Sequence, residues 1–376
     1  MPEMERILVL GVGNAQVDFI KYCRDFGFEV FACSYRNEGR GIKYANHFEI
    51  IDIKDIEGVK SFVLSNNIDY IYSVGSDLAM PVVTEIASLL KNHNFLQKDT
   101  AIICNNKTKL RNTLQTLKAG IYNVAFTHID SIKDVETWDI FPAIVKPVDS
   151  QGQRGITKVE NKEKLHKALK TAIAYSPSCR GIIEEFVEGF EISVNTYLLN
   201  GKPIFYFITE RISFDNYPGG IIKKHLYPVT KEIPESAIEN LVHDTAQHLG
   251  IINGPAYYQL KITPNRQVKV IEITPRFDGC HLWNLIKQMG GPDFFKIVLN
   301  HIRGIEPNKN DFMPLSKNII SELKFFTSPP NQFMNKKIHE VSDNAIYFEW
   351  YYDDGETIRP INSFQEKVGY QICIKS

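Results

Sequence analysis

The 376 residues carry 43 Lys and Arg against 44 Asp and Glu, a formal net charge of −1. That balance gives no electrostatic argument for nucleic acid or an anionic membrane as partner, and no apolar run reaches membrane-spanning length. The length allows two or three domains with a sizeable core, and the six cysteines, none in CxxC spacing, read as reduced thiols of a cytoplasmic protein rather than a disulfide or zinc framework.

Taken in order, Met1 to Arg6 is not followed by a signal-peptide pattern. Arg6 to Leu10 reads as a strand running into Gly11-Val-Gly13, followed by a helix from about Gln16 to Phe26 that Gly27 ends, and a strand from Glu29 to Cys33. Strand, glycine turn, helix, strand opens a doubly wound α/β domain. A nicotinamide site is disfavoured, because Gln16 stands where the third glycine belongs and Ser34 where a ribose-binding acid is wanted. Two further units follow: strand Phe48 to Asp52, helix Val59 to Asn66, strand Tyr70 to Val74. Gly75-Ser76-Asp77 is then either a substrate contact at the ligand edge of the sheet or a turn plus the N-cap of a helix from Met80 to Lys91.

Asn105 to Ala119 reads as an amphipathic helix with Lys107 in its first turn, where a cation opposes the helix dipole at a cost of about 0.3–1 kcal/mol that a phosphate partner would offset. Ala143 to Val145 is a short buried strand ending at Lys146. The loop Asp149-Ser-Gln-Gly-Gln-Arg-Gly155 follows, and its glycines let backbone N–H groups approach phosphate oxygens. No Gly-Lys-Ser/Thr closes it, so it is not a Walker A loop. Val159 to Ala174 reads as helical, Gly181 to Phe186 as a strand, and Ile192 to Leu199 with Pro203 to Thr209 as a hairpin about Asn200-Gly201. Ser213 to His225 is polar and carries Lys223, Lys224 and His225, either as a mobile lid or as a solvated loop. A helix from about Ser236 ends at Gly250. Strands Ala256 to Ile262 and Gln267 to Ile273 pair about Thr263-Pro264-Asn265-Arg266, helices follow over Leu282 to Met289 and Asp293 to Asn300, and from Asn318 on the chain is mostly β.

Four distant features converge: Lys107, Lys146, the glycine loop, and the pair Gln259 and Glu272. Gln259 and Glu272 are equidistant from the Asn265-Arg266 step, so a simple register sets them opposite each other on one sheet face, with Thr274 and Arg276 on the same face. A carboxylate between two neutral oxygens suits magnesium, and an arginine two steps on suits developing negative charge.

At these residues the chain resembles the ATP-grasp superfamily, in particular its carboxylate–amine ligase branch. The matching segments are VKPVDSQGQRGI at 145–156, IIEEFVEGFEISV at 182–194 and QLKITPNRQVKVIEITPRFDG at 259–279. The resemblance covers nearly the whole chain. It implies a mixed α/β and α+β architecture: a doubly wound α/β domain over 1–98, a two-lobed ATP-grasp core over 99–310 (lobes at about 107–180 and 181–310), and a small β-rich C-terminal lobe over 311–376.

The resemblance also implies roles. Lys107 and Lys146 contact ATP phosphates, with Lys146 catalytic together with Arg276, which steadies the acyl phosphate and its tetrahedral successor. Gln151, Gly152, Gln153 and Gly155 fold over the phosphates. Glu184, Glu185, Phe186 and Val187 hold adenine, Glu191 takes the ribose, and Lys223 and His225 complete the nucleotide contacts. Gln259, Glu272 and Thr274 hold Mg2+, with Mn2+ as an alternative ion. Asp278, Gly279, Cys280 and His281 face the acceptor. Two positions depart from the family pattern: Gln259 stands where an acid is usual, and Thr274 where asparagine is usual. Both still offer a neutral oxygen.

The expected activity is ATP-dependent ligation of a small-molecule carboxylate to an amine through an acyl phosphate, releasing ADP, in a cytoplasmic protein that could dimerise with itself and needs neither nucleic acid nor membrane. The alternatives are a non-catalytic ATP-binding module, or carbamoyl-phosphate-synthetase-like chemistry, against which a single ATP-grasp unit counts. Asp77 and Trp283 are further candidates to line the acceptor pocket.

Overall fold

The computed structural model describes residues 4–92, 96–129, 135, 137–150, 154–214, 220–313, 315–316, 318–361 and 365–375. Its opening unit is the one expected. Strands β1 (Arg6–Leu10), β2 (Glu29–Ser34), β3 (His47–Ile50) and β4 (Tyr70–Tyr72) pair in parallel in the order β3-β2-β1-β4. Helices α1 (Asn14–Asp25), α2 (Ile56–Ser65) and α3 (Met80–Ala87) accompany them. α1 buries Gln16, Val17, Phe19, Ile20 and Cys23, three- and four-residue steps along one face.

The helix expected over 105–119 is α5 (Lys107–Thr116), and a further helix that the sequence reading did not expect, α4 (Lys98–Asn105), precedes it. They are parted at Asn106, whose extended backbone breaks the first while its side chain accepts from Lys109 N at 3.0 Å and caps the second. A second sheet holds β5 (Phe126–Ile129), β6 (Ala143–Pro147), β7 (Thr157–Val159) and β8 (Gly181–Glu185) in the antiparallel order β5-β8-β6-β7. Helix α6 (Leu165–Ala174) starts later than the expected Val159, because Thr157 to Val159 is drawn into pairing with β6.

The third sheet is built on β9 (Phe190–Leu199), β10 (Lys202–Ser213), β11 (Ile222–Tyr227), β12 (Gly254–Ile262) and β13 (Val268–Thr274). α7 (Glu235–Leu249) ends at Gly250 in the left-handed conformation, as its sequence predicts. Asn200 and Gly201 both have positive φ, the turn an Asn-Gly hairpin requires. After α8 (Leu282–Gln288) and α9 (Phe294–Ile302), the β-rich C-terminal stretch supplies β14 (Ile320–Ser328), β15 (Ala345–Trp350) and β16 (Glu366–Lys375). These three join the same sheet, giving eight strands in the order β13-β12-β9-β10-β11-β14-β16-β15.

One continuous core runs from the first sheet through α8 and α9 to β14 and β16; Phe19 meets Phe295 with ring centroids 5.2 Å apart inside it. A second core lies among α4, α5, α7 and strands β9, β12 and β13, and a third between the second sheet and α6. No helix among the described residues is long and apolar enough to cross a membrane.

His281 ties three parts of the first core together. Its Nδ1 meets Asp18 of α1 at 2.7 Å, its Nε2 meets the Tyr351 hydroxyl at 2.7 Å, and its ring stacks on Tyr370 of β16 at 4.3 Å. Trp283 Nε1 donates to the same Asp18 carboxylate at 3.0 Å. Replacing His281 by alanine strands a carboxylate that burial already disfavours, so we expect His281→Ala to lose about 2–4 kcal/mol in urea unfolding. The folded fraction should bind ATP with unchanged affinity, because the ring does not line the cavity described next.

Candidate active site

A cavity of about 860 Å³ opens where the three sheets meet. Its size is that of a pocket for a cofactor and a small ligand. Lys107, Lys146, Glu184, Glu185, Phe186, Val187, Glu191, Gln259, Glu272, Arg276, Asp278, Gly279 and Cys280 all line it.

One wall is a buried ion-pair cluster. Glu184 on β8 takes the Lys146 ammonium of β6 at 2.8 Å and both guanidinium edges of Arg111 at 2.9 and 3.0 Å. Arg111 is 1% exposed, and its remaining donors reach Asn123 Oδ1 at 3.2 Å, Val270 O at 2.7 Å and Ile271 O at 3.1 Å. Burial alone would raise the Glu184 carboxyl, but Arg111 and then Lys146 outweigh it and hold it at about 2. Burial lowers the Lys146 ammonium; Glu184 opposes that shift, and Arg111 and Lys107 reinforce it. Lys107, one turn before Arg111 on α5, donates to Ser150 O at 2.9 Å. Three cations against one carboxylate leave this wall with positive charge in excess, the electrostatics a polyphosphate needs.

The floor is the sheet face that the hairpin register predicts. Gln259 faces Glu272 and Tyr257 faces Thr274 across β12 and β13. Gln259 donates its amide to Glu191 at 2.8 Å, which leaves its carbonyl oxygen as the remaining acceptor. Glu191 is also paired with Arg211. Glu272 has no hydrogen-bond or salt-bridge partner among the described residues, and the buried Thr274 hydroxyl has none either. One carboxylate, one amide oxygen and one orphaned hydroxyl oxygen fit a hard cation that keeps waters and phosphate oxygens in its shell.

Arg276 stands beyond β13 and forms a two-pronged pair with Asp77, both contacts at 2.6 Å, with a third bond to Phe277 O at 2.8 Å. The Gly75-Ser76-Asp77 turn therefore serves the site: Asp77 is not the cap of α3, whose N-cap is Ala79. Gly75 has a φ of +64°, and a Cβ there would sit 2.7 Å from Ala15 Cβ and 3.1 Å from Gly279 Cα, so glycine is needed at this position for the turn to lie against the segment after β13.

Past the end of β8, Lys261 donates to Val187 O at 2.8 Å. The ammonium groups of Lys158 and Lys261 lie 4.2 and 4.5 Å from the centre of the Phe186 ring. The Glu184 carboxylate is committed to Arg111 and Lys146, so the adenine contact expected of Glu184 to Val187 falls to their main-chain groups. Lys223 is exposed and reaches only the Phe214 ring, 5.8 Å away. His225 is fully buried, bonded to Thr209 Oγ1 at 3.1 Å, and neither it nor Lys223 lines the cavity. His281 is corrected from acceptor contact to the structural tie described above. Gly155 has positive φ and sits against Tyr175 and Pro147. Gln151, Gly152 and Gln153 lie outside the described residues, as does the middle of the second lid candidate.

Sequence reasoning missed Arg111, Arg211, Lys261 and the role of Glu184. For Arg111 a signal exists: it follows Lys107 by four positions, on the helix face that also carries the buried Leu110 and Leu114.

Comparison with known proteins agrees with this geometry. Residues 140–283 match the family model of the ATP-grasp domain. The chain is 26% identical over 319 residues to the formate-dependent phosphoribosylglycinamide formyltransferase of Prochlorococcus marinus (strain MIT 9301), a span covering 81% of this chain and 79% of that one. Among solved structures, an L-amino acid ligase from Bacillus licheniformis shares the fold with a TM-score of 0.78 at 17% identity, over 100% of this chain and 94% of the other. The biotin carboxylase domain dimer of Hydrogenobacter thermophilus 2-oxoglutarate carboxylase, in complex with MgADP, shares it with a TM-score of 0.74 at 14% identity, over 99% and 87%. Residues 140–283 thus carry an ATP-grasp domain match, and the chain as a whole shares the fold of these solved structures.

The ion-pair wall makes a prediction independent of turnover. Glu184→Ala leaves Arg111 and Lys146 facing each other in a buried site, and should cost about 3–5 kcal/mol in denaturant unfolding. In the wild type, the folded Glu184 carboxyl lies at about 2 against an ordinary 4.5, so its stabilisation is complete above pH 4.5 and is lost as the pH falls from there through about 2. Acid titration of unfolding free energy should show that loss, and the variant should lack it.

Proposed function

We propose that this chain ligates a small carboxylate to an amine, with the two substrates meeting at the Arg276–Cys280 end of the cavity and the nucleotide between the ion-pair wall and Phe186. The observation that carries this reading is the convergence of Lys107, Lys146, Gln259, Glu272 and Arg276, from separate elements, on one cavity. The relatives named above act on formate with a ribonucleotide amine and on amino acids, and small acids with amines of that range are the substrate class proposed here.

The chemistry follows from the residues. Phosphoryl transfer asks for positioning and charge neutralisation more than for a covalent catalyst. Lys107 and Lys146 supply charge to the phosphates from one side. Gln259, Glu272 and Thr274 would hold Mg2+, which when bound neutralises phosphate oxygens; Mn2+ would suit the same oxygens. Asp77 fixes the guanidinium of Arg276, so its direction is set before substrate arrives, and that fixed charge steadies the acyl phosphate and the tetrahedral species that the amine forms from it. The acyl phosphate must be kept from water, and segments bordering Ser150 and Ser213 are the proposed covers.

A second reading has one observation behind it: the charges of Lys146 and Arg276 are already partnered, by Glu184 and Asp77, and two of three metal oxygens are neutral. That is compatible with a module that binds ATP without turning it over. The six free cysteines support a cytoplasmic setting, and a homodimer is proposed for the assembly.

The deciding experiment is release of ADP and phosphate from Mg-ATP in the presence of pooled small carboxylates and amines. We expect release to require both pools and to vanish in Glu272→Gln while ATP binding persists. Arg276→Lys should lower kcat by about 100-fold, since a point charge cannot replace the directed fork. AMP as product would overturn the acyl-phosphate route, equal turnover by Glu272→Gln would overturn the metal role of Glu272, and ATP binding with no turnover in the wild type would overturn the enzyme reading.

A further inference from the structure

Three side chains at the acceptor end of the cavity carry no chemical step in the reaction just described. His225 on β11, Asp278 and Cys280 each offer one atom to a common point, and those three atoms lie within 4.8 Å of one another. All three residues are buried, His225 at 0% and Asp278 at 2% exposure. Two of these residues carry an orphaned atom: neither His225 Nε2 nor Asp278 Oδ2 has a hydrogen-bond partner among the described residues. A buried imidazole nitrogen and a buried carboxylate oxygen without partners cost free energy as they stand, which is a specific reason to look for an occupant.

We propose that His225, Asp278 and Cys280 form a binding site for a borderline-soft divalent cation, zinc in the first instance, distinct from the magnesium oxygens at Gln259, Glu272 and Thr274. The donor set is one imidazole nitrogen, one carboxylate oxygen and one thiolate sulfur, the mixture zinc takes and magnesium does not. The other Nδ1 of His225 is tied to Thr209 Oγ1 at 3.1 Å, which fixes the ring and directs Nε2 toward the cluster. Cys280 and Asp278 line the cavity while His225 sits behind them, so a fourth position opens toward the cavity.

The surroundings bear on charge balance. Lys367 on β16 places its ammonium 3.5 Å from Cys280 Sγ, and Arg211 faces His225 across the β10–β11 pair. Burial, Arg211 and Lys367 all keep His225 in its neutral form, the form that ligates. Burial and Asp278 push the Cys280 thiol up to about 11, so the ion has to displace that proton: the thiol loses H+ to solvent as the sulfur–metal bond forms. Lys367 then donates to a ligating thiolate, a supporting contact from outside the donor set. A cation at this point occupies the acceptor end, so it should also compete with the acceptor substrate.

Cobalt(II) tests the site by a signal that does not depend on turnover. Titrating the full-length protein with Co2+, without nucleotide, should give a saturable thiolate-to-cobalt charge-transfer band at one ion per chain, reversed by Zn2+. Cys280→Ser should abolish the band, and His225→Gln and Asp278→Asn should each weaken Co2+ and Zn2+ binding by at least about tenfold. Glu272→Gln should leave the band and its midpoint unchanged, which separates this site from the magnesium oxygens. No band in the wild-type protein, or a band that survives Cys280→Ser and so belongs to another thiol such as the exposed Cys179, overturns the proposal. A midpoint unmoved by both His225→Gln and Asp278→Asn overturns it equally. These outcomes do not bear on ATP turnover, so the ligase reading stands or falls separately.

Discussion

The pairing of one carboxylate with two cations inside the protein, Glu184 with Arg111 and Lys146, is the constraint on which the rest of the site depends. A buried acid with one partner would be costly, and a buried lysine with none would lose its proton. Here each group makes the others tolerable. Arg111 extends the arrangement by closing onto Val270 O and Ile271 O, so an α5 side chain fixes β13, the strand that carries Glu272, relative to β8. The phosphate side and the metal side of the cavity are thereby held at a set separation by a single guanidinium.

The opposite end of the cavity is organised by the same means. Asp77 comes from the first domain and Arg276 from beyond β13, and their two-pronged contact spans the junction. Gly75 makes the close approach possible, and His281 locks it from behind through Asp18 and Tyr351. The first domain therefore contributes a residue to the site as well as packing against it.

Much of this was readable from the sequence, where local rules decide. The Asn200-Gly201 turn and the Gly250 stop follow from short-range stereochemistry and stand as expected; Gln259 does pair with Glu272, but through a bulge after Gln259 that a simple register lacks. The long-range partners were not readable. Arg111 sits in NNKTKLRNT like any cation on an exposed helix face, and only its burial under β8 and β13 reveals its use. Glu184 and Glu185 are adjacent acids in one strand, and alternation gives them opposite faces without saying which face meets Arg111. His281 follows Cys280 in a segment that the family resemblance assigns to the acceptor. A left-handed backbone at that residue turns its ring away into the first core. The helix expected at Val159 failed for a comparable reason: pairing with β6 outweighs the local preference of three residues.

In the large sheet, β16 lies between β14 and β15, so the last of these three strands to be synthesised is the one in the middle. β15 has no neighbour until β16 arrives, and the outer edge of β14 stays open for the same interval. Until then, the emerging chain presents two unpaired strand edges, with Phe325 and Phe326 on one and Trp350 on the other. The sheet thus closes in an order opposite to that of translation. The ribosome-bound chain is most exposed to off-pathway pairing just before β16 emerges, at a stage when the elements that line the cavity have all been made.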